Sequence, residues 1–258
     1  MNEPNVSRSA GVREILWTLL LAVLWPAAAA VSLSVAVGGR GVSGMGLVLV
    51  ACGTMAAYGL DRWIDGRHRD DEQLRRVLFL VVVFASVATG VLACRAWWRL
   101  QVCAGLGVIA AAYVPLKRVI PKNVLTTTAW TAATATLPFD HRPDLDPAYG
   151  ASVLAVALIM AANTVLCDLP DYAADRQAGV RGITPRFGPR VGGFAAVVCG
   201  VLGAAAAGSV GRWGLAVTAL GLALLATRLA RQPSRGLFRL LADGLVTVVP
   251  GPLALIFR

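Results

Sequence analysis

The sequence predicts an all-α membrane protein: one polytopic helical bundle of about nine transmembrane helices, formed by residues 1–258 as a single domain with two pseudo-related halves. The first observation is composition, since 57% of the 258 residues are hydrophobic and only 15% are charged. Soluble domains average about 25% charged residues, so this balance is typical of a chain that faces lipid. The other two observations are a series of long apolar runs and the uneven distribution of bases among the loops between them.

The apolar runs define the predicted helices. A helix that crosses a bilayer needs about 20 mostly apolar residues, with about 17–25 as the usual range. Nine runs meet or approach this length: 15–37, 43–60, 77–94, 97–116, 123–139, 147–167, 191–211, 213–230 and 236–257. The first run lacks a small-residue cleavage signature, so we interpret it as a retained span and not as a signal peptide.

The basic residues predict the orientation of the bundle. If the N-terminus is cytoplasmic, 18 of the 24 lysine and arginine residues lie on the cytoplasmic side of the nine-span arrangement. This bias over short loops favours an N-terminus inside and a C-terminus outside. We therefore expect an integral, multi-pass protein of a prokaryotic inner membrane. The net charge of +10 does not indicate nucleic-acid binding, because the chain contains no soluble basic module.

Two pairs of aspartates follow apolar runs at corresponding places in the two halves. Asp61 and Asp65 are four residues apart, as are Asp171 and Asp175, and each pair therefore shares a helix face. Asp168 precedes the second pair, but Pro170 lies between them and favours a new helix start after it. Acids at the mouths of membrane helices are costly, so these residues are candidates for function. We expect both pairs to face one site between the halves.

Carboxylates grouped in this way predict a site for hard cations. Oxygen ligands suit Mg²⁺, which is usually held by one or two carboxylates together with waters and phosphate oxygens. The two pairs and Asp168 therefore predict two Mg²⁺ ions that bridge a diphosphate. Bases on the same predicted side would complete the anion site: Lys117 and Arg118 after the fourth run, with Arg176 and Arg181 in the loop that carries the second pair. The chain has no P-loop or GxGxxG motif, so a nucleotide is not indicated.

Three segments together resemble the UbiA superfamily of intramembrane prenyltransferases. They are DRWID at 61–65, YVPLKR at 113–118, and DYAADRQAG followed by TPRFG within 171–188. The resemblance covers most of the chain and implies a bundle open sideways to lipid, two aspartate-rich motifs that bind Mg²⁺ and diphosphate, and transfer of an isoprenyl group to an acceptor. It implies that Asp61, Asp65, Asp171 and Asp175 are the motif acids, and that Tyr113, Lys117 and Arg118 lie near the diphosphate.

One position departs from the family pattern. Ala57 stands four residues before Asp61, where the family's first motif usually has an asparagine. The lost oxygen ligand would weaken one metal position, change the substrate or mark a divergent member.

Three functions are compatible with these features. The leading hypothesis is Mg²⁺-dependent transfer of an isoprenyl group from an isoprenyl diphosphate to an aromatic or other lipophilic acceptor in the membrane. A terpene cyclase of the same fold is the alternative, in which the allylic cation is captured internally. A small membrane transporter is the hypothesis from a different class, although both acid pairs lie on one predicted side of the membrane instead of near its midplane.

Overall fold

The computed structural model describes residues 15–65, 72–117, 119–229 and 237–257, and within these ranges the regular structure is helical. A single antiparallel bridge joins Val42 to Phe139. The prediction of an all-α membrane bundle is confirmed.

The first part of the bundle contains six helices. Helix α1 covers Ile15–Gly38 and includes a π-helical turn at Leu20–Leu24. The others are α2 (Gly44–Asp65), α3 (Glu72–Ala93), α4 (Trp97–Ala111), the short α5 (Tyr113–Leu116) and α6 (Lys122–Thr136).

The second part contains seven helices, three of which are shorter than eight residues. They are α7 (Pro147–Asp168), α8 (Tyr172–Gln177), α9 (Ile183–Phe187), α10 (Pro189–Gly208), α11 (Trp213–Leu229), α12 (Leu237–Val248) and α13 (Pro250–Ile256).

Each of the nine apolar runs contains helical residues, and two of the differences from the predicted bounds occur near prolines. Helix α6 ends at Thr136, two residues before Pro138, and the ninth run is divided into α12 and α13 at Pro250. Proline has no backbone N–H to donate within a helix, so a break at Pro250 follows from its chemistry. Five helices in the described ranges are long and apolar enough to cross a membrane, and two shorter apolar helices follow. The count of nine crossings and the relation between the halves stay predictions.

Helix α7 lies at the centre of the bundle. It packs against α6, α10, α11 and α12, and Ala155, Val156 and Ile159 on it are fully buried. Helices α2 and α3 pack against each other, and α3 presents apolar side chains outward: Phe84, Val87 and Val91 are each at least 60% exposed. Outward apolar side chains on a long helix are expected where it meets lipid. Asp168 therefore lies at the end of a central, buried helix, whereas Asp61 lies near the end of a helix that packs against the outward-facing α3.

The last two helices, α12 and α13, pack against the first helix, α1. This helix packs against α2 and α6, and also against α12 and α13. The amide of Gly251 donates to the hydroxyl of Ser32 over 2.8 Å, and a Cβ at Gly251 would lie 2.9 Å from the same oxygen. This close approach fixes the C-terminal helices onto the N-terminal one and closes the bundle.

Candidate functional site

The acids of the second motif are divided between two helices. Helix α7 ends at Asp168, residues 169–171 form a turn, and α8 begins at Tyr172 with Asp171 in the position before it. The amide of Asp175 donates to the carbonyl of Asp171 over 2.9 Å. The expectation that Pro170 separates Asp168 from the Asp171/Asp175 helix is confirmed. Asp168 is only 2% exposed, whereas Asp175 is partly exposed.

Lys122, the first residue of α6, joins the two segments that carry these acids. Its ammonium lies 2.7 Å from Oδ1 of Asp168 and 3.3 Å from Oδ2 of Asp175. The three residues form an ion cluster in which one cation contacts two carboxylates. Spacing in the sequence did not identify Lys122, because it lies in a different segment from both acids.

Asn123 holds the second oxygen of Asp168. Its amide Nδ2 donates to Oδ2 of Asp168 over 2.9 Å, and its Oδ1 accepts from the backbone N–H of Ile183 over 3.2 Å. Asn123 is itself buried. Both oxygens of Asp168 therefore have a protein partner, and the carboxylate is fixed in one orientation. Sequence analysis also missed Asn123, since a lone asparagine beside a lysine carries no spacing signal.

Backbone hydrogen bonds connect the loop before α6 to the loop before α9. The amide of Lys122 donates to the carbonyl of Arg181 over 2.8 Å, and the amide of Arg181 donates to the carbonyl of Lys117 over 3.3 Å. The guanidinium of the exposed Arg181 donates to the carbonyl of Val119 over 3.2 Å. Of the predicted anion-binding bases, Lys117 and Arg181 are thus placed next to each other by their backbones.

Tyr113 lies beside Lys117, one of the predicted anion-binding bases. The ammonium of Lys117 lies 5.5 Å from the centre of its ring. Its phenol interacts electrostatically with Lys122, with Asp61 at the end of α2 and with Asp168 at the end of α7.

The charge of Lys122 is stabilised by its acid partners. Burial acts against the charged form, since the side chain is 26% exposed, but Asp168 and then Asp175 hold the pKa of Lys122 above its ordinary value. The ammonium remains charged at neutral pH and offsets part of the negative charge of the cluster.

A cavity lies deeper in the bundle, beside the site acids. It has a volume of about 50 Å³ and is lined by Trp25, Tyr58, Trp130, Asn163 and Asp243, among others. Room of this size suits water or a small polar group and not a lipid tail. Tyr58 also interacts electrostatically with both Asp243 and Asp61, which places the cavity next to the first acid motif.

The polar groups of the cavity are only partly paired. Nδ2 of Asn163 donates to Oδ1 of Asp243 over 3.2 Å, and Nε1 of Trp130 donates to the hydroxyl of Tyr58 over 3.1 Å. Oδ1 of Asn163 and Nε1 of Trp25 are buried and have no hydrogen-bond partner in the described part of the chain. An unpaired buried acceptor and an unpaired buried donor are costly, and a hydroxyl group, which both donates and accepts, has the chemistry to pair with either of them.

Two of the predicted site residues lie wholly or partly outside the residues that the structure describes. The side chain of Asp65 and the whole of Arg118 fall outside the described residues. Among the side chains that are described, no three acids, histidines or cysteines are grouped as a set of metal ligands. Carboxylate oxygens nevertheless have the chemistry that Mg²⁺ requires, so Asp61 and Asp171 remain suitable donors.

Geometry and helix arrangement define a class: an integral membrane helical bundle with acids and bases gathered at the ends of its helices. Comparison with solved structures identifies the fold within that class. The chain aligns with the apo structure of a UbiA homolog from Aeropyrum pernix K1 with a TM-score of 0.66, at 16% identity over 90% of this chain and 96% of that one. It also aligns with a digeranylgeranylglyceryl phosphate synthase with a TM-score of 0.60, at 11% identity over 95% and 97% of the two chains.

Sequence comparison gives no such match. No family model and no curated protein matches this sequence. At these low identities the structural likeness establishes the fold, and the resemblance predicted from the three segments is confirmed at that level. The chain has the UbiA fold.

Proposed function

We propose that the protein is a membrane prenyltransferase that transfers an isoprenyl group from an isoprenyl diphosphate to a lipophilic acceptor. The observation that carries this proposal is the ion cluster at the end of α7, where Lys122 contacts Asp168 at 2.7 Å and Asp175 at 3.3 Å beside the backbone-linked bases Lys117 and Arg181. A diphosphate is a compact anion that needs cations and donors from several directions. The two UbiA-fold relatives, one of them a digeranylgeranylglyceryl phosphate synthase, support this choice of substrate class.

In this proposal the diphosphate binds at the ends of α2 and α7. Asp61, Asp65 and Asp171 would hold Mg²⁺, which neutralises the diphosphate and stabilises its departure when bound. Lys117 and Arg181, whose backbones are hydrogen-bonded to each other, bind the outer oxygens. Arg118, which lies outside the described residues, is assigned the same role. Lys122, fixed by Asp168 and Asp175, adds a further positive charge near the leaving group.

The hydroxyl group of the acceptor enters the cavity, which is lined by Tyr58, one helical turn before Asp61 on α2. A hydroxyl group there would donate to the unpaired Oδ1 of Asn163 and accept from the unpaired Nε1 of Trp25. Asp243, oriented by Asn163, is positioned to take the acceptor's proton as the new bond forms at the allylic carbon. The proton leaves the acceptor oxygen and the diphosphate leaves the isoprenyl carbon, so the charges balance.

The test is turnover by the purified full-length protein in detergent, with Mg²⁺, a panel of allylic diphosphates and phenolic or alcoholic acceptors. We expect alkylated acceptor by mass spectrometry, and a fall in kcat/KM of about 100-fold or more in Asp61→Asn and Asp171→Asn. Asp144→Asn changes an exposed acid of the loop before α7 and serves as the matched control.

Each alternative function has its own outcome in this assay. Cyclised hydrocarbon formed without an acceptor would identify a terpene cyclase. Absence of diphosphate turnover, together with solute flux in proteoliposomes, would identify a transporter. Turnover that survives both aspartate substitutions would contradict the assignment of the acids.

A further inference from the structure

We propose that the ammonium of Lys122 takes the place of one of the two divalent ions expected from the acid pairs, so that the chain binds a diphosphate with a single metal ion. This inference rests on the proposed function. It concerns the second motif, where Asp168 and Asp175 would otherwise be a cation-binding pair. The first motif and Asp171 keep the one remaining ion.

The contacts of Lys122 are those of a bound cation. Its Nζ lies 2.7 Å from Asp168 and 3.3 Å from Asp175, so it occupies the space between the two carboxylates. A divalent ion that used the same two acids would have to displace the ammonium or lie in direct contact with it. Two cations at such a distance repel strongly where water is largely excluded.

Hydrogen bonds made by the backbone of Lys122 and by the adjacent Asn123 hold the lysine in this position. The amide of Lys122 is bonded to the carbonyl of Arg181, and the adjacent Asn123 bridges Asp168 to the amide of Ile183. A Cβ at the neighbouring Gly182 would lie 3.0 Å from Oδ1 of Asn123, so the glycine permits this close approach. The lysine is thus built into the second motif by backbone bonds and not only by its flexible side chain.

While Lys122 occupies its position, Asp168 is also poorly available to a metal. Its side chain is 3% exposed, and its two oxygens already accept from Lys122 and Asn123. A metal ligand in an open site needs access for the ion and for its waters, which Mg²⁺ retains. We therefore assign Asp168 a positioning role: it fixes Lys122, and Lys122 meets the diphosphate.

The experiment counts bound metal and not turnover. Full-length protein in detergent is dialysed to equilibrium against Mn²⁺ with the same concentration of inorganic diphosphate on both sides, and the excess Mn²⁺ on the protein side is measured. We expect one Mn²⁺ per chain for the wild type. We expect two for Lys122→Met, which removes the charge but keeps a similar length, because Asp168 and Asp175 then lack a cation.

Two further variants separate charge from fold. Lys122→Arg keeps the positive charge and should bind one ion, as should Arg186→Met, which removes an exposed arginine of α9 outside the cluster. Electron paramagnetic resonance gives an independent reading, since two adjacent Mn²⁺ ions produce a coupled spectrum and a single ion does not. Circular dichroism and gel filtration establish that each variant is folded.

The outcomes distinguish this inference from the proposed function. Two ions in the wild type or in Lys122→Arg would overturn the inference and leave the prenyltransferase proposal intact. One ion in a folded Lys122→Met would overturn it as well. If Lys122→Met does not fold, the wild-type and Lys122→Arg counts still decide. No ion bound with diphosphate in the wild type would contradict both proposals.

Discussion

At the scale of single residues, Asn123 is the buried side chain that orients the second motif. It donates to Asp168 and accepts from the amide of Ile183, so Asn123→Ala leaves two buried groups without partners. Each such loss costs about 1–3 kcal/mol. We expect Asn123→Ala to lower the unfolding temperature in detergent, measured by circular dichroism, and to reduce turnover by more than the stability loss explains. Gln177→Ala, at an exposed position of α8, is the control, and equal effects of the two would contradict this role.

Asn163 gives a prediction about acceptor specificity. Its Oδ1 is buried and unpaired and lines the cavity beside Asp243. Asn163→Leu removes this acceptor atom with a similar volume, so we expect the KM for the acceptor to rise about 10-fold while the KM for the isoprenyl diphosphate is unchanged. Initial rates with each substrate varied in turn provide the measurement. A rise in the KM for the diphosphate alone would show that the cavity is not the acceptor site.

The lowered pKa of Asp140 predicts that the stability of the protein depends on pH. A hydrogen bond from Ser43 and then the guanidinium of the buried Arg99 hold the pKa of Asp140 below its ordinary value of 3.8. A lowered pKa in the folded state means that the carboxylate stabilises the protein above pH 3.8 and loses this effect as the pH falls through the lowered value. We expect Asp140→Asn to lower the unfolding temperature at pH 7, and the difference from wild type to shrink in acid. Asp144→Asn is the control, and a constant difference would contradict the argument.

At the scale of helices, glycines set how closely α10 and α11 approach. A Cβ at Gly200 would lie 2.7 Å from the carbonyl oxygen of Ala219 on α11, whereas nothing lies within 4 Å of a Cβ at Gly208 on the same helix. Alanine normally stabilises a helix by about 1 kcal/mol relative to glycine. At Gly200 the clash dominates, since overpacking typically costs about 1–3 kcal/mol.

We therefore expect Gly200→Ala to lower the unfolding temperature and Gly208→Ala to leave it unchanged or raise it. Both substitutions add the same methyl group to the same helix, so intrinsic helix propensity cannot account for opposite signs. Thermal unfolding in one detergent provides the measurement. A stabilised Gly200→Ala would contradict the close approach of α10 and α11 at this glycine.

The sequence predicted helices more reliably than the contacts between them. Hydropathy depends on a local window of sequence, so each of the nine predicted runs does contain helical residues. The helix breaks at Pro170 and Pro250 also follow from local chemistry. Asp168 and Lys122 are 46 residues apart and meet only because α6 and α7 pack against each other. Spacing rules detect acids that share one helix and cannot detect a lysine contributed by another. The residues missed were therefore those that act between helices.

At the scale of the whole molecule, the orientation in the membrane decides from which side the substrate enters. The proposed substrate is a diphosphate ester, which is highly charged and does not cross the bilayer unaided, so the proposal requires the acid motifs to face the compartment that supplies it. The bias of basic residues predicts that this side is the cytoplasm, with the N-terminus inside and the C-terminus outside. This requires an odd number of crossings, as in the nine-span arrangement.

Reporter fusions in a bacterial host test this orientation. We expect alkaline phosphatase to be active when fused after Arg258 and after residue 142, and inactive when fused after residue 180, within the loop that follows the second motif. A fluorescent protein, which folds only in the cytoplasm, should give the opposite pattern and should also fluoresce at the N-terminus. Fluorescence at both termini would indicate an even number of crossings. Phosphatase activity at residue 180 would place Asp171 and Asp175 on the outer side, where a diphosphate supplied from the cytoplasm could not reach them.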